Sequence, residues 1–278
     1  MHSKSDRKQE EQQEKQRHDD YYKKESQPRI LAPVHWEKFD SIDRHIHGYT
    51  YSVKCLGNIK DKRVLDLGCG TGWFSVILAK RGALVDAIDI SSEAINIAAA
   101  MAKINEVVER TSFRAGSVYE LDYPENYFDL VIGQAILHHL RHKDKVVMPL
   151  YRIIKPGGRA VFCEPFGESR TLERIRLAVP VPVDEEDKTH WDEQFKYRDL
   201  DTFRALFKVR YREFQLLSRL DRLISYGPFV NFLGHLDLAL LRYFPFLRRY
   251  ARSIVVELVK PKAKSTCSTR LGQIPTGL

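Results

Sequence analysis

Between Asp66 and Asp89 the sequence sets two carboxylates around three alternate glycines, Gly68, Gly70 and Gly72. The run Val64-Leu65-Asp66-Leu67-Gly68-Cys69-Gly70-Thr71-Gly72-Trp73 reads as an apolar strand, a tight turn and the start of a helix. Glycine tolerates the backbone angles of such a turn and lets a ligand approach the main chain. The helix that follows aims its free amides and positive dipole end at that ligand. A dinucleotide fingerprint needs the spacing G-x-G-x-x-G, whereas this loop reads G-x-G-x-G, which disfavours a nicotinamide oxidoreductase. Asp66, two residues before the first glycine, is ill suited to a pyrophosphate and well suited to an ammonium group. Asp89 closes the next apolar run, Ala87-Ile88-Asp89, where an acid about twenty residues past the glycines accepts hydrogen bonds from ribose hydroxyls.

Proton-transfer candidates lie further on. His138 and His139 follow the strand-like Phe128–Gly133, and Glu164 ends another strand-like run in Cys163-Glu164-Pro165. A general base belongs where a ligand binds, at the carboxyl edge of the strands, and all three residues map there. Each also has a plain reading, as a packed or capping histidine or a loop-bonded acid. No Ser-His-Asp order competes, and the ten histidines lack metal-ligand spacing, so no metal is expected. His35, His45 and His47 fall on a helical face as packing residues. Cys55, Cys69, Cys163 and Cys267 are far apart, a pattern of reduced thiols that points to the cytoplasm.

The elements that must position these groups follow from periodicity. Short apolar strands are expected at 63–67, 84–88, 111–115, 128–133, 159–164, 214–217 and 253–259, with helices at 73–81, 93–105 and 143–154. Nearly continuous apolar strands alternating with helices imply an α/β fold with a mostly parallel sheet covered on both faces. Helical spacing of Trp36, Phe39, Ile42, Ile46, Tyr49 and Val53 predicts helices over 33–59. Residues 1–29 are charged and Gln-rich, too polar to offset chain entropy, and read as a mobile arm or a frayed helix. A domain over 30–261 follows, made of those first helices, a cofactor-binding half (60–165) and substrate-side segments with a cap (166–252). A disordered tail (262–278) closes the chain.

The motif D-L-G-C-G-T-G at 66–72 resembles the first motif of class I S-adenosylmethionine-dependent methyltransferases of the type 11 kind. The likeness extends over about 60–165, through Gly116-Ser117-Val118, Tyr127–Val131, Gln134–Leu140 and Leu150–Gly158. It implies a doubly wound Rossmann-like seven-stranded sheet with an antiparallel last strand, and S-adenosylmethionine as cofactor. By the resemblance, Asp66, Gly68, Cys69, Gly70, Gly72 and Trp73 meet the amino-acid end of the cofactor. Asp89 holds the ribose, and Ile90 packs on adenine. Ser117 and Val118 edge the adenine, while Gln134 and Ala135 flank the methionine moiety. Ser117 stands where many relatives carry an acid, with Asp122 or a backbone group as substitutes. Tyr21 and Tyr22 are candidates for a lid over the cofactor, as well as residues of the mobile arm.

The chain is 278 residues long, with net charge +8 and mean hydropathy −0.39. No run approaches the roughly 18 apolar residues of a membrane span, and the first twenty residues lack a secretory apolar core. From Lys196 to Lys264 there are 15 basic and 6 acidic residues, so the basicity is local to this third. The resemblance implies that acceptor specificity lies outside the glycine-loop half, which leaves 165–196 and 220–252. The second segment sets apolar stripes beside Arg248, Arg249 and Arg252. It reads as an amphipathic helix packed on the core, or as a surface meeting an anionic or lipid-like acceptor or a membrane face. Nucleic acid ranks below these, for want of a recognisable module. Methyl transfer by in-line displacement to a small-molecule acceptor is the leading expectation. Non-catalytic cofactor-binding scaffold and RNA methyltransferase are the alternatives. Acceptor, accepting atom and oligomeric state are not legible.

Overall fold

The computed structural model describes residues 4–25, 27–32, 48–169, 194–218 and 227–262. Seven strands form one sheet: β1 (Arg63–Leu67), β2 (Leu84–Asp89), β3 (Thr111–Ala115), β4 (Phe128–Gln134), β5 (Ile154–Pro165), β6 (Lys208–Phe214) and β7 (Ser253–Val259). Their spatial order is β3-β2-β1-β4-β5-β7-β6, with β7 antiparallel to both its neighbours and every other pairing parallel. This is the doubly wound, mostly parallel sheet that the alternation of apolar runs and helices implies.

Helices are α1 (Lys4–Glu25), α2 (Gly48–Leu56), α3 (Trp73–Lys80), α4 (Ser92–Ile104), α5 (Lys143–Ile153), α6 (Tyr197–Arg204) and α7 (Gly227–Tyr243). Strand alternation sends side chains to two cores. Leu65, Leu67, Val131 and Phe162 face the layer carrying Val146, Leu150 and Ile153 of α5 and Leu200 and Phe203 of α6. Val64, Leu130, Ile132 and Val161 face Val53 and Leu56 of α2, Phe74, Ile77 and Leu78 of α3, and Met101 of α4. The central strand β1 is buried from Val64 onward, which is why it reads as a continuous apolar run.

Strand order reverses at β1, whose neighbours β2 and β4 are followed by helices on opposite faces. The loops leaving β1 and β4 therefore diverge and open a crevice at the carboxyl edge. Ser91 caps α4 by accepting the Ala94 amide at 3.1 Å. Gly72, at φ +74, turns the chain into α3. A Cβ there would sit 2.6 Å from Ala98 Cβ, so glycine is required both by angle and by space.

Residues 4–25, read as a mobile arm or a frayed helix, form a 22-residue helix lying against α4. Its stability comes from polar pairs four residues apart, such as Arg7–Glu11 and Lys15–Asp19, and not from an apolar stripe. The sixth strand is Lys208–Phe214, not 214–217 as expected. Its edge position leaves Lys208, Arg210 and Arg212 exposed, so apolar content alone places it too late, and positive φ at Gln215 ends it. The expected helices over 33–47, much of 165–196, residues 219–226 and the tail 263–278 lie outside the described residues.

Candidate active site

A cavity of about 720 Å³ opens at the carboxyl edge, between the loops after β1 and β4 and under α1. Of the residues expected to act, all but Gly72 and Glu164 line it. The β1 loop is tied to β2 by Gly68 and Cys69 amides donating to the Ile88 carbonyl at 2.8 and 3.1 Å. Gly70, at φ +50, donates its amide to Asp89 Oδ2 at 2.8 Å, and the Ser91 amide donates to Asp89 Oδ1 at 2.9 Å. Burial raises the Asp89 carboxyl above its ordinary range, and those two amides oppose the rise. Each oxygen keeps a lone pair for a hydroxyl.

Asp66 is 2% exposed and accepts one hydrogen bond, from Ser75 Oγ at 2.6 Å. Burial pushes its carboxyl up to about 7, the Ser75 hydroxyl pulls it down, and the charge of Asp89 adds to the rise. A buried acid this poorly satisfied, set in the cavity lining, has the chemistry to accept a cation. Beyond β4, Gln134 donates to Ser52 Oγ at 2.9 Å, while its own amide oxygen is buried and meets no donor. Ala135 follows at φ +55, a strained angle for alanine, held by its amide on the Cys163 carbonyl.

Glu164 does not face the cavity. Its side chain is fully buried and gathers the amides of Ile136, Leu137 and His138 at 3.0, 2.9 and 3.2 Å. It also lies 2.9 Å from His138 Nδ1. That contact fixes the orientation of the His138 ring and leaves Nε2 pointing away from Glu164. The expectation of Glu164 as a base is thus corrected: it has no approach to a ligand, and it shapes the β4 loop. The His138 and His139 rings lie with centroids 4.0 Å apart and planes tilted by 39°, and both line the cavity.

The residues that sequence reasoning missed come from α1: Arg7, Glu10, Glu14, Arg17 and His18 join Tyr21 and Tyr22 in the lining. Asp19 fixes the helix, accepting from Ser91 Oγ at 2.5 Å and the Glu93 amide at 3.3 Å. Burial raises its carboxyl, but hydrogen bonds from Lys15, Ser91 and Glu93 outweigh this and hold it down at about 2. Further ties are Arg7–Glu120 (3.2 Å), Arg141–Glu10 (3.4 Å) and His142–Glu10 (3.4 Å). The Tyr22 hydroxyl lies 3.0 Å from where a Gly70 Cβ would stand, so the helix closes directly over the glycine loop. The i, i+4 charge pairs were a legible sign of the helix, but nothing in them indicated its seat.

Glu14, His18 and His139 place one ligand atom each within 4.8 Å of one another, the one such group among the described residues. Arg17 already contacts the Glu14 oxygen that His18 Nε2 approaches at 3.0 Å. With the Arg17 guanidinium and His18 on one Glu14 oxygen, the group is held together as a hydrogen-bonded charge knot.

Residues 65–162 match the family model of a methyltransferase domain. The ubiquinone/menaquinone biosynthesis C-methyltransferase UbiE of Vibrio cholerae is 32% identical over 118 residues, covering 41% of this chain and 45% of that protein. The ubiquinone biosynthesis O-methyltransferase of Alkalilimnicola ehrlichii is 37% identical over 113 residues, covering 40% of this chain and 45% of that protein. The chain thus spans less than half the length of these relatives. Among solved structures, the [4+2]-cyclase SpnF overlays with a TM-score of 0.57 at 20% identity, over 80% of this chain and 81% of that one. That likeness shows the shared fold.

Proposed function

We propose that this chain is a class I S-adenosylmethionine-dependent methyltransferase that moves a methyl group to a small, lipid-like or anionic acceptor, with a quinol-type ring as the leading candidate. The observation that carries the reading is the pair of buried carboxylates on either side of the glycine loop. Asp66 is held with a single hydrogen bond, and Asp89 is fixed by two backbone amides. The residues fit the cofactor: Asp66 and the donor-free Gln134 oxygen are acceptors for an ammonium, and Asp89 is an acceptor for two ribose hydroxyls. Ile90 and Val118 supply apolar flanks for a base, with Ser117 at its edge. When bound, S-adenosylmethionine supplies a sulfonium methyl open to in-line displacement.

The chain's own residues then orient and exclude. The cavity walls and α1 keep water from the reacting centre, and an aligned pair gains most of what such a reaction requires. His138, its ring fixed by Glu164 through Nδ1, presents Nε2 as the base for an acceptor hydroxyl, with His139 beside it as the second candidate. Support for the quinol ring comes from the names of the two relatives, one a C- and one an O-methyltransferase. The fold alone does not decide the reaction, since a cyclase shares it. A non-catalytic scaffold is the second reading, and it rests on that same breadth.

Two measurements separate them. Calorimetry with S-adenosylhomocysteine tests the cofactor site, and transfer of labelled methyl to quinol, phenol, lipid, sugar and RNA pools tests the activity. Binding with label in the quinol pool supports the proposal; binding without transfer to any pool supports the scaffold. His138→Ala and His139→Ala should each retain cofactor binding while one of them loses turnover.

A further inference from the structure

Five of the twelve large apolar side chains exposed among the described residues fall between 229 and 246; the other seven are scattered over the rest of the chain. They belong to α7 and the 3-10 turn Pro245–Tyr250 that follows it. The inner face of α7 is settled by Leu233, Asp237 and Leu241, four residues apart and all buried. Asp237 accepts the amides of Leu216, Leu217 and Ser218 at 2.9, 2.7 and 3.0 Å, plus the Ser218 hydroxyl at 2.6 Å. This clamps α7 to the loop leaving β6. Phe214 pairs with Ser253, which pairs with Pro165, so the loop lies at the sheet edge where the cavity opens.

The outer face is different in kind. Phe229, Phe232, Leu236, Ala239 and Tyr243 recur at helical spacing, and Phe229, Phe232 and Tyr243 are 37%, 60% and 72% exposed. The stripe ends in Phe244 and Phe246, 48% and 67% exposed, whose rings meet edge to face at 6.1 Å. Arg242 lies over the Tyr243 ring and Arg249 over Tyr250, each at 5.8 Å, and Arg248 donates to the Leu241 carbonyl. From Gly227 to Arg252 the sequence holds one acid, Asp237, and it is 1% exposed. Over 227–252 the described surface is therefore aromatic and cationic with no exposed carboxylate.

We propose that this face docks on an anionic lipid bilayer. Aromatic rings seat at the boundary between headgroups and chains, and arginines lay their stems along that boundary while their heads meet lipid phosphates. A second copy of the chain would set arginines against arginines across a two-fold axis, with no carboxylate to answer them. No helix among the described residues is long and apolar enough to cross a membrane, so the contact is with the surface. Docking brings the cavity edge toward the lipid phase, the direction from which a lipid-like acceptor would arrive. The docking itself does not depend on methyl transfer.

The test is co-sedimentation of the full chain with phosphatidylcholine vesicles, with and without phosphatidylglycerol, at low salt. The chain should pellet with the mixed vesicles. Phe232→Glu/Phe246→Glu should lower partitioning at least tenfold, and Arg242→Ala/Arg249→Ala about thirtyfold, taking each arginine as about one kcal/mol at such a surface. All four side chains lie on the surface, so the variants should match the wild type in thermal unfolding and in S-adenosylhomocysteine binding, which reads the cofactor site separately. Failure of the wild type to pellet with mixed vesicles would overturn the proposal. So would equal pelleting of wild type and both variants, or a dimer in sedimentation equilibrium that the variants break and vesicles leave intact.

Discussion

Glu164 Oε2 stands 2.9 Å from His138 Nδ1, and the same carboxylate receives the amides of three consecutive residues that end at that histidine. One buried acid thus sets both the path of the β4 loop and the orientation of the ring. Glu164→Ala would leave four buried donors without an acceptor and should destabilise the protein by about 3–5 kcal/mol. Glu164→Gln keeps an accepting oxygen and should lose less. Urea unfolding of the two variants decides the matter, and equal stability of Glu164→Ala and wild type would refute the role.

Asp89→Ala removes the acceptor of the Gly70 and Ser91 amides together with the ribose contacts proposed for it. Affinity for S-adenosylhomocysteine should fall by roughly 1.5–3 kcal/mol, the scale of hydrogen bonds to a charged group. Asp89→Asn should fall between the two. Calorimetry showing unchanged affinity in the alanine variant would remove Asp89 from the site.

Asp66 carries a pH dependence whose sign follows from its raised carboxyl. Folding shifts it from 3.8 to about 7, so the folded state holds a proton that the unfolded state gives up between these values. Its contribution to stability therefore declines as pH rises from about 4 to about 7, and the penalty persists above. Asp66→Asn should be more stable than wild type at pH 8 and equal to it at pH 3. An ammonium ligand reverses the balance by favouring the charged form. Cofactor binding should then release a proton below about pH 7, with affinity rising to that pH and levelling off. Calorimetry in buffers of different ionisation enthalpy counts that proton, and the count should vanish in Asp66→Asn.

Asp19 behaves in the opposite sense. Its carboxyl is held down at about 2, so the docking of α1 is fully supported above pH 3.8 and is lost as pH falls through 2. Asp19→Asn should loosen α1 at neutral pH. Hydrogen exchange along residues 4–25 should speed up more than tenfold, on the scale of one charged hydrogen bond. Exchange in β1 and β4, where the core is closed, should stay as it was.

The sheet was legible because its physics is local and repetitive: Arg63–Leu67, Thr111–Ala115 and Ser253–Val259 stand where their apolar pattern placed them. The loop glycines were legible for the same reason, since few residues but glycine meet φ +74 at position 72. The β6 edge was not, because a strand covered on one side carries charges that mask its period. Nor was the role of Glu164. From the sequence a strand-ending acid is equally a base or an anchor, and only the three amides around it decide which. Seating of α1 was hidden most deeply. It depends on Asp19 meeting Ser91 across 72 positions, and no pattern within the helix encodes a partner so remote.

The helix above the cavity has no greasy underside. It is fastened by Asp19 on Ser91, Glu10 on Arg141 and His142, and Arg7 on Glu120. The ion pairs with exposed members, Arg141 on Glu10 and Glu120 on Arg7, weaken in brine because dissolved ions screen exposed charges, while the buried Asp19–Ser91 contact is screened much less. Ionic strength is thereby a throttle on the doorway: added salt should hasten departure of the spent donor before it touches the sheet beneath.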